Sequence, residues 1–535
     1  MSWKAFIVVV AIAVPAFWGL RMAFASALPR GVWLRWGIAF LASTFAAFMI
    51  PNYWVSLVIF GLIAVVAASA DRFALPIYAL LLFAFPAVGV LVPGFFGINN
   101  FLLLYTHNVL AIVLLIPMFA LTAASRARSN KGRLADIAFT LYFLLVAALA
   151  FRDTTWTDGL RQLTTIMLAM VPQYIVFSRT RWTIPRLRLF SAALVSSLAI
   201  NAAIACAEVV LNWPLYLSPL TSWNVYFSTF LTMRGGFLRA AGSTLSPIGL
   251  GMFIIVALAL IPALLHASRR WLALGPAGVL VAGLLATFSR GPWIGAGIAL
   301  GFHALVSARP IANLARLGIL GVMTMFALLL TPYGDALIGL LPGVANTVDQ
   351  STIDYRTELW ERGWAVVMQR PLFGTELFME SPELAPLRQG QGIIDIVNGY
   401  LHVALDSGLV GMTLYIGIAL SAMFALWRSI RPARAIDPEL ALYAQSYLSG
   451  YAAMMIVIAT ASIVVGQITE FVFMLAGISV GIARTIGEAK SSAPPSEAAE
   501  RLQAAPASPP PAAPEPKGPA ASSLPPHLRQ YAKRD

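Results

Sequence analysis

Leu245–Ala267 reads LSPIGLGMFIIVALALIPALLHA, 23 residues without one Asp, Glu, Lys or Arg. A helix needs about 20 mostly apolar residues to cross the hydrocarbon core of a bilayer, and a chain in hydrocarbon must be a helix or a closed barrel to satisfy its backbone. Runs of this kind recur on both sides of it. They lie at about Phe6–Leu20, Trp33–Ile50, Tyr53–Ala70, Phe73–Val92, Asn108–Ala124, Leu134–Phe151, Leu160–Ser178 and Leu189–Leu211 before it. After it come Trp271–Phe288, Trp293–Ser307, Ile311–Leu330, Leu409–Trp427, Ala444–Val465 and Ile468–Ala483. Of the 535 residues 59% are hydrophobic and 11% charged, against roughly 25% charged in an ordinary soluble domain. The sequence therefore predicts an all-α polytopic membrane protein of about 12–15 transmembrane helices.

The net charge of +13 does not point to nucleic acid, because the basic residues sit in short clusters between apolar runs instead of forming one face. Arg126, Arg128, Lys131 and Arg133 make one cluster and Arg179, Arg181, Arg186 and Arg188 another, with two helices between them. Arg269/Arg270, Arg309/Arg316 and Arg428/Arg431/Arg434 follow in the same register, so all are expected on the cytoplasmic side. That register puts 212–244, 289–292 and 333–399 outside. The first apolar run has no persuasive cleavage site behind it and reads as a retained helix. The single cysteine, Cys206, lies inside an apolar run, which excludes an intrachain disulfide and a cysteine-based metal site.

Five regions follow. They are N-terminal transmembrane helices (1–188), core transmembrane helices (189–332), one large extracytoplasmic loop (333–399), C-terminal transmembrane helices (400–486) and a Pro/Ala-rich tail (487–535). The tail holds eleven prolines between Pro494 and Pro526, cannot build a core, and is expected to be disordered in the cytoplasm. The loop concentrates charge in a chain poor in it, and loops this long are usually functional or disordered. Within it Tyr355, Leu359, Gly363 and Val366/Val367 recur at helical spacing, predicting an amphipathic helix from about Thr352 to Gln369, ended by Pro371.

Four motifs carry a resemblance. Asp354-Tyr355-Arg356, then Leu359-Trp360 and Arg370-Pro371-Leu372-Phe373-Gly374, are followed by Asn398-Gly399-Tyr400-Leu401 and Asp406-Ser407-Gly408-Leu409-Val410-Gly411. Upstream stand Arg239-Ala240-Ala241-Gly242-Ser243-Thr244-Leu245-Ser246-Pro247 and Phe288-Ser289-Arg290-Gly291-Pro292-Trp293. In this order, each on the expected outer side, they resemble the O-antigen ligase-like and Wzy-type polysaccharide polymerase family over about 234–430. The resemblance implies a metal-independent glycosyltransferase of GT-C-like architecture that needs no cofactor. Its donor would be a saccharide on a polyprenyl pyrophosphate, at the outer leaflet of a bacterial inner membrane.

Such a transfer requires a pyrophosphate to leave, and guanidinium groups grip phosphate oxygens well. Arg239, Arg290 and Arg356 are the expected cradle; the competing reading is snorkelling for the first two and an ion pair for the third. Asp395 is a candidate general base. Ligase-type relatives carry a His directly before the Asn matching Asn398, and this chain has Val397, which moves the expectation from ligase to polymerase. Asn398, Tyr400, His402, Glu208 and Glu470 are candidate substrate-binding residues, the two carboxylates because charge at membrane depth is costly. His107 reads as a capping or interface feature. Polymerisation would bring a chain-length regulator or export machinery as partner. Ligation of a finished glycan, transport of lipid-linked oligosaccharide and a structural assembly role are the rival expectations.

Overall fold

The apolar run around Leu245 forms a helix from Pro247 to Ala267 in the computed structural model. Proline occupies its first position, where a missing N–H costs nothing, and the Ser246 hydroxyl caps it by accepting from Gly249 N at 3.1 Å. The structure describes residues 2–492 except 26–27, 71–72, 95–99, 124–128, 226–232, 235, 269–270, 273, 331–349, 389–391 and 464–466. The Pro-rich tail, Arg126, Arg128, Arg269, Arg270 and the first part of the long loop fall outside the described residues.

In chain order, α1 (Ser2–Ala23), α2 (Arg30–Met49) and α3 (Tyr53–Ser69) lead to a short α4 (Leu75–Leu81) and an antiparallel hairpin, β1 (Gly89–Pro93) with β2 (Asn100–Tyr105). Next come α5 (Thr106–Leu110), a π-helical turn and α6 (Ile116–Ala123), then α7 (Arg133–Leu149), α8 (Trp156–Arg179) and α9 (Ile184–Leu211). A connection with α10 (Leu217–Ser222), β3 (Met233–Arg234) and β4 (Phe237–Leu238) precedes α11 (Pro247–Ala267), α12 (Leu274–Ala286), α13 (Arg290–Leu305) and α14 (Pro310–Leu329). The chain ends in α15 (Gln350–Gln369), α16 (Gly399–Ile436), α17 (Pro438–Ile458) and α18 (Ile468–Ser492).

Among the described residues seven helices are long and apolar enough to cross a membrane: α1, α2, α9, α11, α16, α17 and α18. Several shorter apolar helices stand beside them. The protein is an all-α, multi-pass membrane protein. Helices α11 and α17 pack at the centre and are buried on nearly all sides, whereas α1, α2 and α14 expose Trp18, Leu34, Ile319, Val322 and Met323 as a belt that only lipid would cover.

One expected span is not a helix. Phe73–Val92 forms only α4, turns through 82–85 and then runs into β1, because Pro86 has no N–H to continue a helix. Carbonyls freed at the break are satisfied from the side. Ser197 Oγ donates to Leu80 O (2.6 Å), Gln467 Nε2 to Leu82 O (3.1 Å), Asn201 Nδ2 to Phe83 O (2.7 Å) and Thr106 Oγ1 to Pro86 O (2.7 Å). Irregular backbone at this depth is tolerated where neighbouring side chains pair it.

The helix expected at Thr352–Gln369 runs from Gln350 to Gln369 and stops before Pro371. Its apolar stripe, Leu359, Val366 and Val367, joins Phe378, Leu384, Leu387, Ile394, Ile396 and Leu401 in a second small core, so α15 packs against the loop and α16. Gly363 lets the helices touch, since a Cβ there would lie 2.8 Å from Leu401 Cδ2. Helix α16 breaks at Gly408, whose φ is 70°. Pro371–Thr375 fills that break. Leu409 N donates to Pro371 O (2.8 Å), Val410 N to Leu372 O (3.3 Å) and Thr375 N to Leu405 O (2.9 Å). Arg152 straps the joint by donating to the carbonyls of Phe373 and Asp406.

Contacts sort the helix ends into two faces. Ser2 meets Ser218, Trp223 meets Ile50, Arg152 meets Phe373 and Arg356 meets Thr460 on the loop face. Lys131 meets Ser429, Arg188 pairs with Glu439, and Arg434 reaches Val306 O on the other, basic face.

Candidate active site

Helix α13 begins at Arg290 behind an N-cap, Ser289, whose hydroxyl caps no helical N–H. The start of this helix presents backbone donors and the positive end of its dipole. Guanidinium groups from three parts of the chain gather around it. Arg239 Nη2 donates to Ser289 Oγ (2.9 Å), Arg234 Nη1 to Phe288 O (3.0 Å), and Arg356, from α15, reaches Thr460 O at 3.5 Å. Thr460 abuts the same helix start, since a Cβ on Gly291 would lie 2.7 Å from Thr460 Oγ1. Phe237 stacks on Phe288 at 5.5 Å and 7°, holding the strand pair that carries Arg234 over the turn.

These cations repel one another. Burial, with Arg234 and Arg356 nearby, pushes the Arg239 guanidinium down to about 10. Burial also lowers Arg356, while Asp395 beside it pulls the other way. A guanidinium stays charged at neutral pH, so the region is a cluster of positive charge whose electrostatic cost an anion would relieve.

Arg239 is positioned from behind. The buried Glu208 carboxylate at the end of α9 accepts from Leu215 N (2.9 Å), Ala241 N (3.1 Å) and Gly242 N (3.0 Å), while Asn201 Oδ1 accepts from Ser243 N (3.1 Å) and Ser243 Oγ (2.8 Å). Ala240 N donates to Ala286 O at 3.1 Å, tying this turn to the residues before α13. Glu208, expected to touch substrate, thus spends both oxygens on backbone and acts as a clamp on the Arg239 turn.

On the other side of Arg356, Tyr355 and Asp395 exchange hydrogen bonds. The Tyr355 hydroxyl donates to Asp395 O (2.9 Å) and accepts from Asp395 N (3.1 Å). This holds the Asp395 carboxylate near Arg356; desolvation raises its pKa and Arg356 partly offsets that. Asn398 caps α16, accepting from Tyr400 N and Leu401 N at 3.1 Å each, and with Val397, Leu401 and Arg356 it lines a small hollow of about 60 Å³. Val397 thus stands beside Arg356. Tyr400, also expected to meet substrate, donates its hydroxyl to Met455 O at 2.6 Å.

His402 and Glu470 do not join the arginines. They line a separate cavity between α7, α8, α16 and α18, where the buried His107 donates to or pairs with Glu470 at 2.8 Å. His107 is therefore a core partner of a carboxylate, not an interface feature. Arg234 is the cation that motif reading passed over; its only sequence signal was a basic residue on an expected outer segment, five before Arg239.

The fold and the site define a multi-pass α-helical membrane protein with a cluster of arginines at the start of α13, beside a folded loop. Residues 275–416 match the family model described as O-antigen ligase. The matched region contains Arg290, Arg356, Asp395 and the α16 break. It supports a glycosyltransferase-like function of the ligase or polymerase type. No curated protein matches the chain.

Proposed function

We propose that the protein polymerises polyprenyl-pyrophosphate-linked oligosaccharide repeat units at the outer leaflet of a bacterial cytoplasmic membrane, yielding an exopolysaccharide or O-antigen chain. The observation that carries this is the convergence of Arg234, Arg239 and Arg356 on the start of α13. Charge held this close, at the edge of a membrane, fits a diphosphate ester. The positive-inside bias would otherwise have depleted arginine from that side.

In the reaction, a hydroxyl of the incoming repeat unit attacks the anomeric carbon of the donor sugar. A new glycosidic C–O bond forms, the bond from that carbon to the pyrophosphate oxygen breaks, and polyprenyl pyrophosphate leaves with the electron pair. Arg234, Arg239, Arg290 and Arg356 stabilise the charge that develops on it, an electrostatic role with no reorganisation at the moment of reaction. Asp395 takes the hydroxyl proton.

Ligation of a finished glycan is the second reading, favoured by the description of the matched family. Val397 supports polymerisation over it, because the position where ligase-type relatives carry a histidine lies beside Arg356 and holds no base here. Reconstitution with a defined polyprenyl-pyrophosphate oligosaccharide, resolved on a gel, tests the proposal. A ladder of lengths is the expected product. A single unit moved onto lipid A core or a protein, with no ladder, would favour ligation.

A further inference from the structure

The cavity that holds His402 and Glu470 is not explained by pyrophosphate chemistry. It encloses about 260 Å³ between α7, α8, α16, α18 and the end of β2. That is near the small end of the roughly 300–1,000 Å³ typical of ligand pockets, a size for one ring instead of a chain. Its walls combine two chemistries. Tyr142, Tyr415 and Phe473 form one aromatic side, with Tyr142 and Phe473 stacked at 6.3 Å, and Tyr105 stacked on His107 at 5.1 Å forms another. Between them stand Glu470 and Asp406.

Hydrogen-bonding capacity here is unspent. One Glu470 oxygen receives His107 at 2.8 Å. His107 and His402, which both line the cavity, each bury an Nδ1 atom with no hydrogen-bond partner among the described residues. A bare apolar tail would leave these groups unpaired. Nor do they converge like metal ligands, since among the described residues no three of His, Cys, Asp or Glu could hold an ion. Carboxylate acceptors spread around aromatic faces suit a sugar ring, whose hydroxyls donate and whose C–H faces pack on rings.

The location agrees. The cavity and the arginine cluster share two walls. In α16, Asn398 and Leu401 face Arg356 while His402, Val403 and Asp406 face the cavity. In the connection from α17 to α18, Thr460 receives Arg356 and Ile463 lines the cavity.

We propose that this cavity is a saccharide subsite, in which Glu470, oriented by His107, binds hydroxyls of one sugar ring while Tyr105, Tyr142, Tyr415 and Phe473 form its apolar walls. It rests on the proposed glycan transfer and adds where the sugar is held. The test uses the full-length protein in nanodiscs and two probes. These are the free oligosaccharide released by mild acid from the lipid-linked repeat unit, followed by saturation-transfer NMR, and polyprenyl pyrophosphate without sugar, followed by its equilibrium binding.

Glu470→Gln keeps an acceptor for His107, and Ala169→Phe fills the cavity from α8 without removing a polar group. Each is expected to weaken oligosaccharide binding at least tenfold and to leave polyprenyl pyrophosphate binding within twofold, while Arg356→Ala does the reverse. Unchanged oligosaccharide binding in both cavity variants would overturn the subsite. So would Ala169→Phe weakening polyprenyl pyrophosphate alone, because a lipid chain would then be the occupant. An Arg356→Ala variant with intact pyrophosphate binding would count against the arginine cradle and leave the subsite standing on its own probe.

Discussion

Glu208 offers the sharpest separation of positioning from chemistry. Its carboxylate receives three backbone N–H groups, and two of them belong to Ala241 and Gly242, just after Arg239. Glu208→Gln keeps one acceptor oxygen. In its better orientation that oxygen serves Ala241 and Gly242, and the amide NH₂ faces Leu215 N–H, which loses its acceptor at about 1–3 kcal/mol. Glu208→Ala strands all three donors in a buried site at about 1–3 kcal/mol each, and should cost two to three times as much as the glutamine variant. Thermal unfolding of the detergent-purified protein, followed by intrinsic fluorescence, reads the order wild type, Gln, Ala. Activity should follow the same order, with Gln retaining turnover because Arg239 stays in place. A Glu208→Gln protein as stable as wild type yet inactive would refute the clamp and make the carboxylate a chemical participant.

Arg356→Ala should lower turnover at least tenfold in the polymerisation assay, since removing one donor to a developing oxyanion costs about 2.7–4 kcal/mol; Arg234→Ala should behave similarly, and normal product from either well-folded variant would contradict the cradle. Gly408→Ala places a Cβ 2.3 Å from Leu372 O at a φ of 70°; the fixed carbonyl cannot yield, so a lower unfolding temperature and a protease-sensitive loop are expected. Asp395 has a raised pKa in the fold, so the stability it contributes is present below its unfolded pKa and is lost as pH rises through the folded one. As base it must be ionised, so turnover should fall as pH drops through that raised value, and Asp395→Asn should remove this acid limb. Sidedness is checked in a Cys206→Ser background: an impermeant maleimide should label Glu380→Cys in intact cells and Arg431→Cys only after permeabilisation.

Much of the architecture was legible because apolar length is a local property. Each run of hydrocarbon side chains announces its helix wherever it packs, and Pro371 announces where α15 stops. Phe73–Val92 is the instructive exception. It is as apolar as its neighbours, but its break depends on Ser197, Asn201 and Gln467, side chains more than a hundred residues away. The motif order likewise placed Arg239, Arg290 and Arg356 on one expected face, because loop sidedness follows from counting spans.

By itself the sequence determined that the chain must live in lipid, where its helices lie and which loops hold uncommon charge. Those follow from the transfer of side chains between water and hydrocarbon, which needs no partner residue. Only the tertiary structure decided that Arg234 joins the arginine cluster, that Glu208 serves backbone, and that His107, His402 and Glu470 line a different cavity. A carboxylate's role is set by which donors surround it, and those donors come from segments that become neighbours only when the helices pack.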